Sequence, residues 1–422
     1  MAHFGLVCPP ITGHIEPLAA LGRALIRRGH RATFFHIQDV ESKAGDAGLE
    51  FCPIGTAEYP AGTLASSVQQ LSQLSGLASL RFAVQSACRI SEVILKDGPE
   101  AMGDAKLDLV LVDQNEPAAG SVAEHLKIPF VSVCTSLPLN REPLIPPPFV
   151  GWDYRDAAWA AARNSVGYLI SDRMIAPIQA TLNKYRGRWG LREVRKPDDT
   201  FSQLAQLAQM PQEFDFPRTK LPVGFQYFGP WFDENTSGDI HFPWDKLNGK
   251  SLIYGSVGTI QDVDNHHFQV IAQACECLDV QLVLSLGKRD VVNVPHFPGN
   301  TITVGYLPQL KILSRSALTI THAGLNTTQQ SLFFGVPLIA VPLAHDQPAI
   351  AARLRRTGAG LVIAPKKLTA PALTEAIRKV LPASSSFRSS AERLQTAIKE
   401  SGGAEAAADV VEQVATKQKK ER

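Results

Sequence analysis

The sequence lacks the features that mark membrane-spanning and secreted proteins. No window reaches the roughly 20 consecutive apolar residues of a membrane-spanning helix, and even residues 334–350 are interrupted by proline, histidine and aspartate. The first residues form only a short apolar run with no cationic region before it, so no secretion signal is expected. These absences predict a cytoplasmic protein.

Charge and cysteine content argue against two further classes of protein. The chain has 42 Lys plus Arg and 40 Asp plus Glu. The net charge of +2 gives no overall positive electrostatic field that would attract nucleic acid. The six cysteines show none of the paired spacings of zinc sites, and Cys275 and Cys277 point apart on a predicted helix. We therefore expect reduced thiols, no bound metal and no nucleic-acid partner.

Two stretches of alternating strand and helix patterns predict two domains. A chain of 422 residues is too long for one hydrophobic core. Strand, helix and strand patterns follow one another at 4–8, 17–28 and 31–36, and a second series starts at 251–256, which predicts two doubly wound parallel sheets. The predicted division is an N-terminal domain 1–230, a linker 231–248, a C-terminal domain 249–400, and a helix with a solvated charged tail 401–422.

A histidine and an aspartate follow two strands of the first predicted sheet. His14 lies in a Gly- and Pro-containing loop between the first strand and the first helix, and Asp113 ends a later strand. Both positions fall at the carboxyl edge of the sheet, where open α/β folds bind ligands. Asp113 could accept the Nδ1 proton of His14 and leave Nε2 as a base. Taken alone, a histidine at this position is more often a capping or packing residue, and Asp113 without His14 would be better explained as a helix cap or a loop hydrogen bond.

The richest segment of the second half is a strand, a turn of small residues and a helix. It runs Thr-His-Ala-Gly-Leu-Asn-Thr-Thr over residues 321–328. The start of a helix presents unpaired backbone N–H groups and a positive dipole end, which suit a diphosphate. The alternative is an ordinary turn in which Asn326 and Thr327 only cap the helix.

This segment, with several others, resembles the nucleotide-sugar signature of UDP-dependent glycosyltransferases of the GT-B fold. The similarity runs through almost the entire chain and includes Gly-His-Ile-Glu-Pro at 13–17, Phe-Asp-Phe-Pro-Arg at 214–218, Tyr-Gly-Ser-Val-Gly-Thr at 254–259 and His-Asp-Gln at 345–347. Within the family the chain is most similar to bacterial zeaxanthin glucosyltransferases. The resemblance implies an α/β GT-B architecture, two Rossmann-like domains that face each other across a cleft.

The resemblance also implies which residues hold the UDP-sugar. Tyr306 matches the aromatic residue that stacks on uracil, and Gln309 the residue that meets the base or ribose. His322 and Thr259 match contacts to the diphosphate. The full set expected to bind the donor is Ser256, Thr259, Tyr306, Leu307, Gln309, His322, Gly324, Asn326, Thr327, Thr328, Gln330, Asp346 and Gln347.

The same comparison assigns the sugar contacts and the catalytic pair. Asp346 and Gln347 match the pair that hydrogen-bonds the sugar hydroxyls, while His14 matches the catalytic base and Asp113 its partner. Two positions depart from the plant pattern: Tyr306 replaces a Trp and preserves stacking, whereas Gln330 replaces the Glu that grips the ribose hydroxyls and loses a charge-assisted contact.

The predicted function is an inverting O-glycosyltransferase that moves a sugar, with glucose favoured, from a UDP-sugar to a hydroxyl of an apolar small molecule without a metal or other cofactor. A hydroxylated carotenoid is the favoured acceptor by resemblance, bound by residues 56–90 and 137–200, and a flavonoid or other phenol is the alternative. A carotenoid implies weak contact with a membrane surface, for which Arg27, Arg28 and Arg31 are candidates. The alternatives of other kinds are an inactive nucleotide-sugar-binding protein and a UDP-sugar epimerase.

Overall fold

The computed structural model describes residues 1–74, 76–233, 240–258, 266–287 and 295–421. Within these residues the strands are β1 (His3–Val7), β2 (Arg31–His36), β3 (Glu50–Pro53), β4 (Leu109–Asp113), β5 (Phe130–Cys134), β6 (Gln206–Ala208), β7 (Phe225–Tyr227), β8 (Ser251–Ser256), β9 (Val280–Ser285), β10 (Thr301–Val304), β11 (Ser316–Thr321), β12 (Leu338–Ala340) and β13 (Gly360–Val362). The helices are α1 (Thr12–Arg27), α2 (Glu41–Asp46), α3 (Thr63–Ser72), α4 (Gly76–Asp104), α5 (Pro117–Leu126), α6 (Ala158–Arg188), α7 (His266–Glu276), α8 (Gln309–Leu313), α9 (Leu325–Phe333), α10 (Gln347–Thr357), α11 (Ala370–Val380), α12 (Ser386–Glu400) and α13 (Gly403–Glu421).

The strands of the first half form one parallel sheet in the order β3-β2-β1-β4-β5-β6-β7. Strands β1 and β4 are buried at every position, as expected where helices cover both faces of a parallel sheet. The strand order reverses between β1 and β4. The crevice outside the carboxyl ends of these two strands is therefore the place where such a sheet binds ligands.

The second half repeats this arrangement in the order β10-β9-β8-β11-β12-β13, again with parallel pairing. Here the strand order reverses between β8 and β11. Residues 251–256 form a strand as predicted, and α10 has the predicted bounds of 347 and 357. The two sheets confirm the predicted α/β fold of two doubly wound units.

A buried ion pair and a hydrogen bond join the two units. Arg353 on α10 donates its Nε hydrogen bond to Asp215 Oδ1 at 2.8 Å, and both side chains are fully buried. Gln329 on α9 donates from Nε2 to the carbonyl oxygen of Gln209 at 2.7 Å. Helices α9 and α10 of the second unit are thereby held against the first unit.

The C-terminal helix α13 returns to the first unit. Ala407, Ala408, Val411 and Ala415 are buried in the same hydrophobic core as β1 and α1. The charged end of this helix is largely exposed, although the helix continues to Glu421. The predicted domain boundaries stay predictions, and residues 234–239 of the predicted linker lie outside the described residues.

The sequence placed the start of the first helix too late and missed several short strands. Helix α1 begins at Thr12, so His14 lies in its first turn and not in a preceding loop, and Pro17 is inside the helix. Strands β6 and β7 have three residues each and lie in a passage without a clear period. Segments this short pair only because β5 offers a sheet edge to β6, and β6 in turn offers one to β7, which is a tertiary effect.

Candidate active site

His14 and Asp113 meet at the reversal point of the first sheet. His14 follows β1 in the first turn of α1, and Asp113 is the last residue of β4. The Nδ1 atom of His14 lies 2.9 Å from Asp113 Oδ2, which is the hydrogen bond that the sequence predicted. The Asp113 side chain is fully buried, while the His14 side chain keeps 16% of its surface exposed. The imidazole therefore retains one accessible edge toward the cleft.

Two further residues fix the carboxylate of Asp113. Thr135, directly after β5, donates its hydroxyl hydrogen bond to Asp113 Oδ2, and its Oγ1 lies 2.7 Å from His14 Nδ1. The backbone N–H of Asn115 donates to Asp113 Oδ1 at 2.8 Å. Because the threonine proton is directed to the carboxylate, the Nδ1 proton of His14 faces two acceptor oxygens, Asp113 Oδ2 and Thr135 Oγ1. Nε2 is then left unprotonated, as a general base requires.

The pKa values of this pair move in opposite directions. Burial lowers the pKa of His14, but the charge and the hydrogen bond of Asp113, together with the charges of Asp346 and Glu116, outweigh it and leave the pKa above its ordinary 6.5. Burial raises the pKa of Asp113, but His14 and the hydrogen bonds from Thr135 and Asn115 outweigh it and leave this pKa lowered. Asp113 thus stays ionised and stabilises an imidazolium at His14.

His322 lies at the corresponding reversal point of the second sheet. Its backbone N–H donates to the carbonyl oxygen of Ser256 at the end of β8, at 3.3 Å. The ring lies between two glycines: a Cβ on Gly258 would come within 2.9 Å of His322 Nε2, and one on Gly324 within 2.7 Å. Burial lowers the pKa of His322, which favours the neutral imidazole. The glycines are therefore needed to let this ring approach the turn before α9.

Three predicted donor-binding residues form a polar cluster on α8 and α9. Gln309 Nε2 donates to Gln330 Oε1 at 2.5 Å and lies 3.4 Å from Thr327 Oγ1. Tyr254 donates its hydroxyl hydrogen bond to Gln309 Oε1 at 2.8 Å. Gln330 is therefore positioned by Gln309, and both are half-buried beside the start of α9.

Asp346 of the second unit contacts the first unit close to the catalytic pair. Ser136, the residue after Thr135, donates its hydroxyl hydrogen bond to Asp346 Oδ2 at 2.6 Å across the cleft. The preceding His345 has a φ of +56°, a conformation that is uncommon outside glycine and that turns the chain into α10. Gln347 Oε1 accepts from the backbone N–H of Leu343 at 2.8 Å, so this side chain braces its own loop.

Some predicted donor-binding residues lie elsewhere than expected. Thr328 is fully buried, and its Oγ1 has no hydrogen-bond partner in the described part of the chain, so its side chain cannot touch a ligand in this conformation. Leu307 is 3% exposed within an apolar cluster, which leaves its backbone as the group that could face a donor. Tyr306 is half-buried in the segment before α8. Thr259 lies outside the described residues.

Asn326 joins the two units instead of facing the cleft alone. Its Oδ1 accepts from Gln209 Nε2 at 2.9 Å, and its Nδ2 donates to the carbonyl oxygen of Gly13 at 3.2 Å. The start of α9 therefore faces the start of α1, with His14 next to the contact. This is the juxtaposition of catalytic pair and diphosphate turn that the sequence predicted, while the roles of the individual residues stay predictions.

Sequence reasoning missed Thr135, Ser136 and Gln209. A signal for the first two was present, because they follow β5 just as Asp113 ends the neighbouring β4, and carboxyl ends of adjacent parallel strands meet at one edge. Gln209 follows a strand that was itself missed. Its contact with Asn326 depends on how the two units meet, which no local pattern reveals.

The arginines considered for membrane contact are occupied by acidic partners. Arg28 Nη1 lies 2.6 Å from Glu412 Oε2 of α13, and Arg27 Nη1 lies 3.2 Å from Asp233 Oδ2. Arg31 Nη2 lies 2.8 Å from Glu50 Oε2. These ion pairs link α1 to α13 and β2 to β3. Contact of the three arginines with a membrane surface stays a prediction.

The described residues contain neither a helix suited to crossing a bilayer nor a cluster of metal ligands. None of their helices combines the length and apolar character that crossing a bilayer demands. No group of three or more His, Cys, Asp or Glu side chains among them is arranged to hold a metal ion. The independence of the reaction from metal stays a prediction.

Comparison with known proteins identifies a matching family. The family model described as UDP-glucoronosyl and UDP-glucosyl transferase matches residues 59–400. The zeaxanthin glucosyltransferase of Pantoea ananas is 33% identical over 421 residues, which cover 98% of this chain and 96% of that protein. That of Pseudescherichia vulneris is 32% identical over 366 residues, covering 85% of this chain and 86% of the relative.

Solved structures share the whole architecture. The glycosyltransferase of kitacinnamycin matches with a TM-score of 0.76 at 22% identity, over 98% of this chain and 99% of its own. The calicheamicin glycosyltransferase CalG4 matches with a TM-score of 0.74 at 21% identity, over 99% of both chains. VinC, solved in complex with dTDP, matches with a TM-score of 0.69 at 18% identity, over 99% of this chain and 100% of its own. The shared fold is GT-B, with two Rossmann-like units facing each other across a cleft.

Proposed function

This chain belongs to the family of UDP-glucoronosyl and UDP-glucosyl transferases, and from that premise we propose that it transfers glucose from UDP-glucose to a hydroxyl group of a carotenoid. As a member it is a UDP-glycosyltransferase. The choice of acceptor is supported by the similarity to the zeaxanthin glucosyltransferases of two bacteria. The choice of a nucleoside diphosphate donor is supported by the family and by the paired reversal points of the two sheets, which meet at one cleft.

The single observation that carries the mechanism is the His14–Asp113 hydrogen bond of 2.9 Å. His14 Nε2 takes the proton of the acceptor hydroxyl while that oxygen forms a bond to the anomeric carbon. The bond from this carbon to the diphosphate oxygen breaks, and UDP leaves with the electron pair. Asp113 stabilises the imidazolium, and the proton is later released to solvent.

A single displacement of this kind inverts the configuration at the anomeric carbon. The alternative, two-step retention, needs a carboxylate that attacks the sugar. Asp113 is fully buried and accepts hydrogen bonds from His14, Thr135 and Asn115, so it is oriented toward the imidazole. Direct attack by the activated acceptor is therefore the proposed route.

The leaving diphosphate is proposed to bind where α9 begins. The first N–H groups of this helix and the ring of His322 provide hydrogen-bond donors at the point where negative charge develops. Thr327 is half-buried in the first turn and adds a hydroxyl. Because these donors stabilise the negative charge of the diphosphate, no metal ion is proposed, and transfer should continue in the presence of EDTA.

The acceptor is proposed to lie against the first unit. The predicted regions 56–90 and 137–200 include α3, the first half of α4, the loop after β5 and all of α6. Tyr168 on α6 donates its hydroxyl hydrogen bond to the carbonyl oxygen of Ile145 at 3.1 Å, and Asn164 Nδ2 donates to Pro143 O at 3.0 Å. Helix α6 therefore supports the loop that would line the acceptor site. A carotenoid in this site also implies weak contact with a membrane surface.

The test combines a catalytic variant with an acceptor screen. UDP-glucose is incubated with a panel of xanthophylls and phenols, products are identified by mass spectrometry, and the anomeric configuration is determined by NMR. We expect β-glucosides of xanthophylls, and His14→Ala should abolish transfer while UDP binding by calorimetry persists. Products from phenols alone would replace the carotenoid proposal, and undiminished transfer by His14→Ala would refute the catalytic assignment.

A further inference from the structure

One face of helix α6 presents large apolar side chains to solvent. Trp159, Val166, Leu169 and Ile170 expose 59%, 58%, 71% and 57% of their surface. Their separations of three, four and seven residues place them on one side of the helix. Half of the eight exposed large hydrophobic residues in the described part of the chain thus lie on this one face, which we call the α6 face. A contiguous patch of this kind marks an interaction surface, whereas isolated exposed residues do not.

The α6 face is long and belongs to a firmly anchored helix. The exposed residues Arg173, Ala176 and Pro177 continue it, so it extends over about 27 Å at 1.5 Å per residue. The opposite side of the helix is packed: a Cβ on Gly167 would lie 2.9 Å from atoms of both Pro147 and Trp152. The face is therefore a fixed surface of a docked helix.

The charges of α6 are mostly positive. Its single acidic residue, Asp172, is paired with Arg141 at 2.9 Å. Of the basic residues of the helix, Lys184 pairs with Glu92 and the buried Arg186 with Glu124. Arg163, Arg173 and Arg188 form no ion pair within the described residues, and Arg173 lies on the apolar face itself, three residues after Ile170. An exposed apolar stripe with basic side chains that lack acidic partners suits contact with the surface of an anionic bilayer.

We propose that the α6 face docks the protein onto an anionic lipid surface. The choice of lipid over other apolar partners rests on the proposed function, because a carotenoid acceptor is itself dissolved in lipid. A second copy of this chain is the weaker candidate, since two such faces in contact would bring basic helices together. The α6 face is a stronger candidate for this contact than Arg27, Arg28 and Arg31, which are paired with acidic residues.

Docking through α6 would place the cleft close to the lipid. The chain just before α6 touches α10, the helix that begins after Asp346: a Cβ on Gly151 would lie 3.3 Å from Pro348 Cβ, and Arg355 Nε lies 3.2 Å from Asp153 Oδ1. An acceptor that leaves the bilayer beside the start of α6 would therefore have a short path to the catalytic pair. The lipid contact then concentrates the acceptor where it reacts.

Vesicle flotation of the full chain, without donor or acceptor, tests the docking surface. Vesicles of phosphatidylcholine alone are compared with vesicles that also contain about 30% phosphatidylserine. We expect binding mainly to the anionic vesicles, and a loss of about tenfold or more for the double variant Leu169→Ser/Ile170→Ser. Arg173→Gln should weaken binding to anionic vesicles about fivefold, by the usual contribution of one basic side chain near the surface.

Val223→Ser is the matched control, because Val223 is an exposed apolar residue far from α6 in sequence and should leave vesicle binding unchanged. Activity of every variant is measured on a water-soluble phenol, so a failure of catalysis is distinguished from a failure of docking. The proposal would be overturned if the wild-type protein did not bind anionic vesicles, or if the double variant bound them as well as the wild type. A dimer by analytical ultracentrifugation that the double variant abolishes would also overturn it, since the face would then bind a second copy.

Discussion

Asn326 donates a hydrogen bond from Nδ2 to the carbonyl oxygen of Gly13 at 3.2 Å. In an unbroken helix this carbonyl would accept the N–H of residue 17, but that residue is Pro17, which has no N–H. The proline thus leaves an acceptor in the first turn of α1, and the second unit supplies its donor. The two units are joined one residue away from His14, so their relative position and the position of the catalytic base are linked.

Replacement of Asp113 by Asn should lower activity and shift its pH dependence. Asp113 raises the pKa of His14, and protonated His14 cannot act as a base, so the wild-type rate should fall as pH drops through a value above 6.5. With Asn, the charge and the hydrogen bond of Asp113 that raise the pKa of His14 most are lost, so the acidic limb of the kcat profile should move to lower pH. We expect kcat near pH 8 to fall about a hundredfold or more, as for loss of general-base catalysis.

UDP affinity provides the control for this variant. Asp113 belongs to the first unit, so the Kd for UDP measured by calorimetry should change little in Asp113→Asn. An acidic limb that stays at the wild-type pH would show that His14 is not the base whose ionisation limits the rate.

Replacement of Gln330 by Glu should strengthen ribose binding. Glu at this position would still accept the hydrogen bond from Gln309 Nε2, now 2.5 Å from Gln330 Oε1, and would add a charge-assisted bond to a ribose hydroxyl. We expect the Kd for UDP to fall severalfold. TDP, which lacks the 2′-hydroxyl, is the comparison ligand: equal gains for UDP and TDP would mean that the 2′-hydroxyl is not the group contacted.

The sequence predicts the parts of this site that depend on local pattern. Asp113 ends a buried strand and His322 follows one, and both fall at the sheet edge that strand order makes a ligand site. Periodicity also predicted α10 with its bounds, because its start after Asp346 and its end at Gly358, with φ of +74°, carry ordinary helix signals.

What the sequence did not predict depends on contacts between distant segments. Proline at position 17 suggested a helix start, but α1 begins at Thr12. The proline leaves the Gly13 carbonyl without its usual N–H partner, and the donor that replaces it, Asn326, lies far along the chain. The helical pattern at 401–422 predicted a helix, but not that Val411 would be buried in the core of the first unit. The burial of Thr328 was likewise hidden, since its neighbour Thr327 has the same chemistry on an adjacent side of α9.

Replacement of Glu116 by Gln should stabilise the protein at alkaline pH. Burial raises the pKa of Glu116 to about 8 from an ordinary 4.5, although Ser91 donates a hydrogen bond to its Oε1 at 2.9 Å. Between these values the folded state holds a proton that the unfolded state has released, so stability falls as pH rises, by about 1.4 kcal/mol per pH unit. Glutamine keeps the acceptor oxygen without ionising.

Thermal unfolding of both proteins between pH 5 and about pH 8 checks this sign. The gain in Tm of Glu116→Gln over wild type should be small at pH 5 and grow as the pH rises. Glu100→Gln removes an exposed carboxylate from α4, the helix that carries Ser91, and corrects for the change in surface charge. The same pH trend in both variants would contradict the assignment to a buried carboxyl group.

Replacement of Arg353 by Leu should weaken both the fold and donor binding. Arg353 Nε lies 2.8 Å from Asp215 Oδ1, and Arg218 Nε lies 2.6 Å from Asp215 Oδ2, so the variant leaves a buried carboxylate with one of its two cations. Breaking a buried pair from one side costs about 3–5 kcal/mol, and the remaining Arg218 favours the lower end. Because α10 follows Asp346, the KM for UDP-glucose should rise more than kcat falls.

Arg355→Leu on the same helix is the matched control for Arg353→Leu. Arg355 pairs with Asp153 across the same two units, but both side chains are nearly half exposed, at 46% and 47%. Solvent screens such a pair, so its loss should cost no more than about 1 kcal/mol in urea unfolding and leave KM unchanged. Equal effects of the two variants would mean that burial does not distinguish these pairs, and that the Asp215–Arg353 contact does not hold α10 in place.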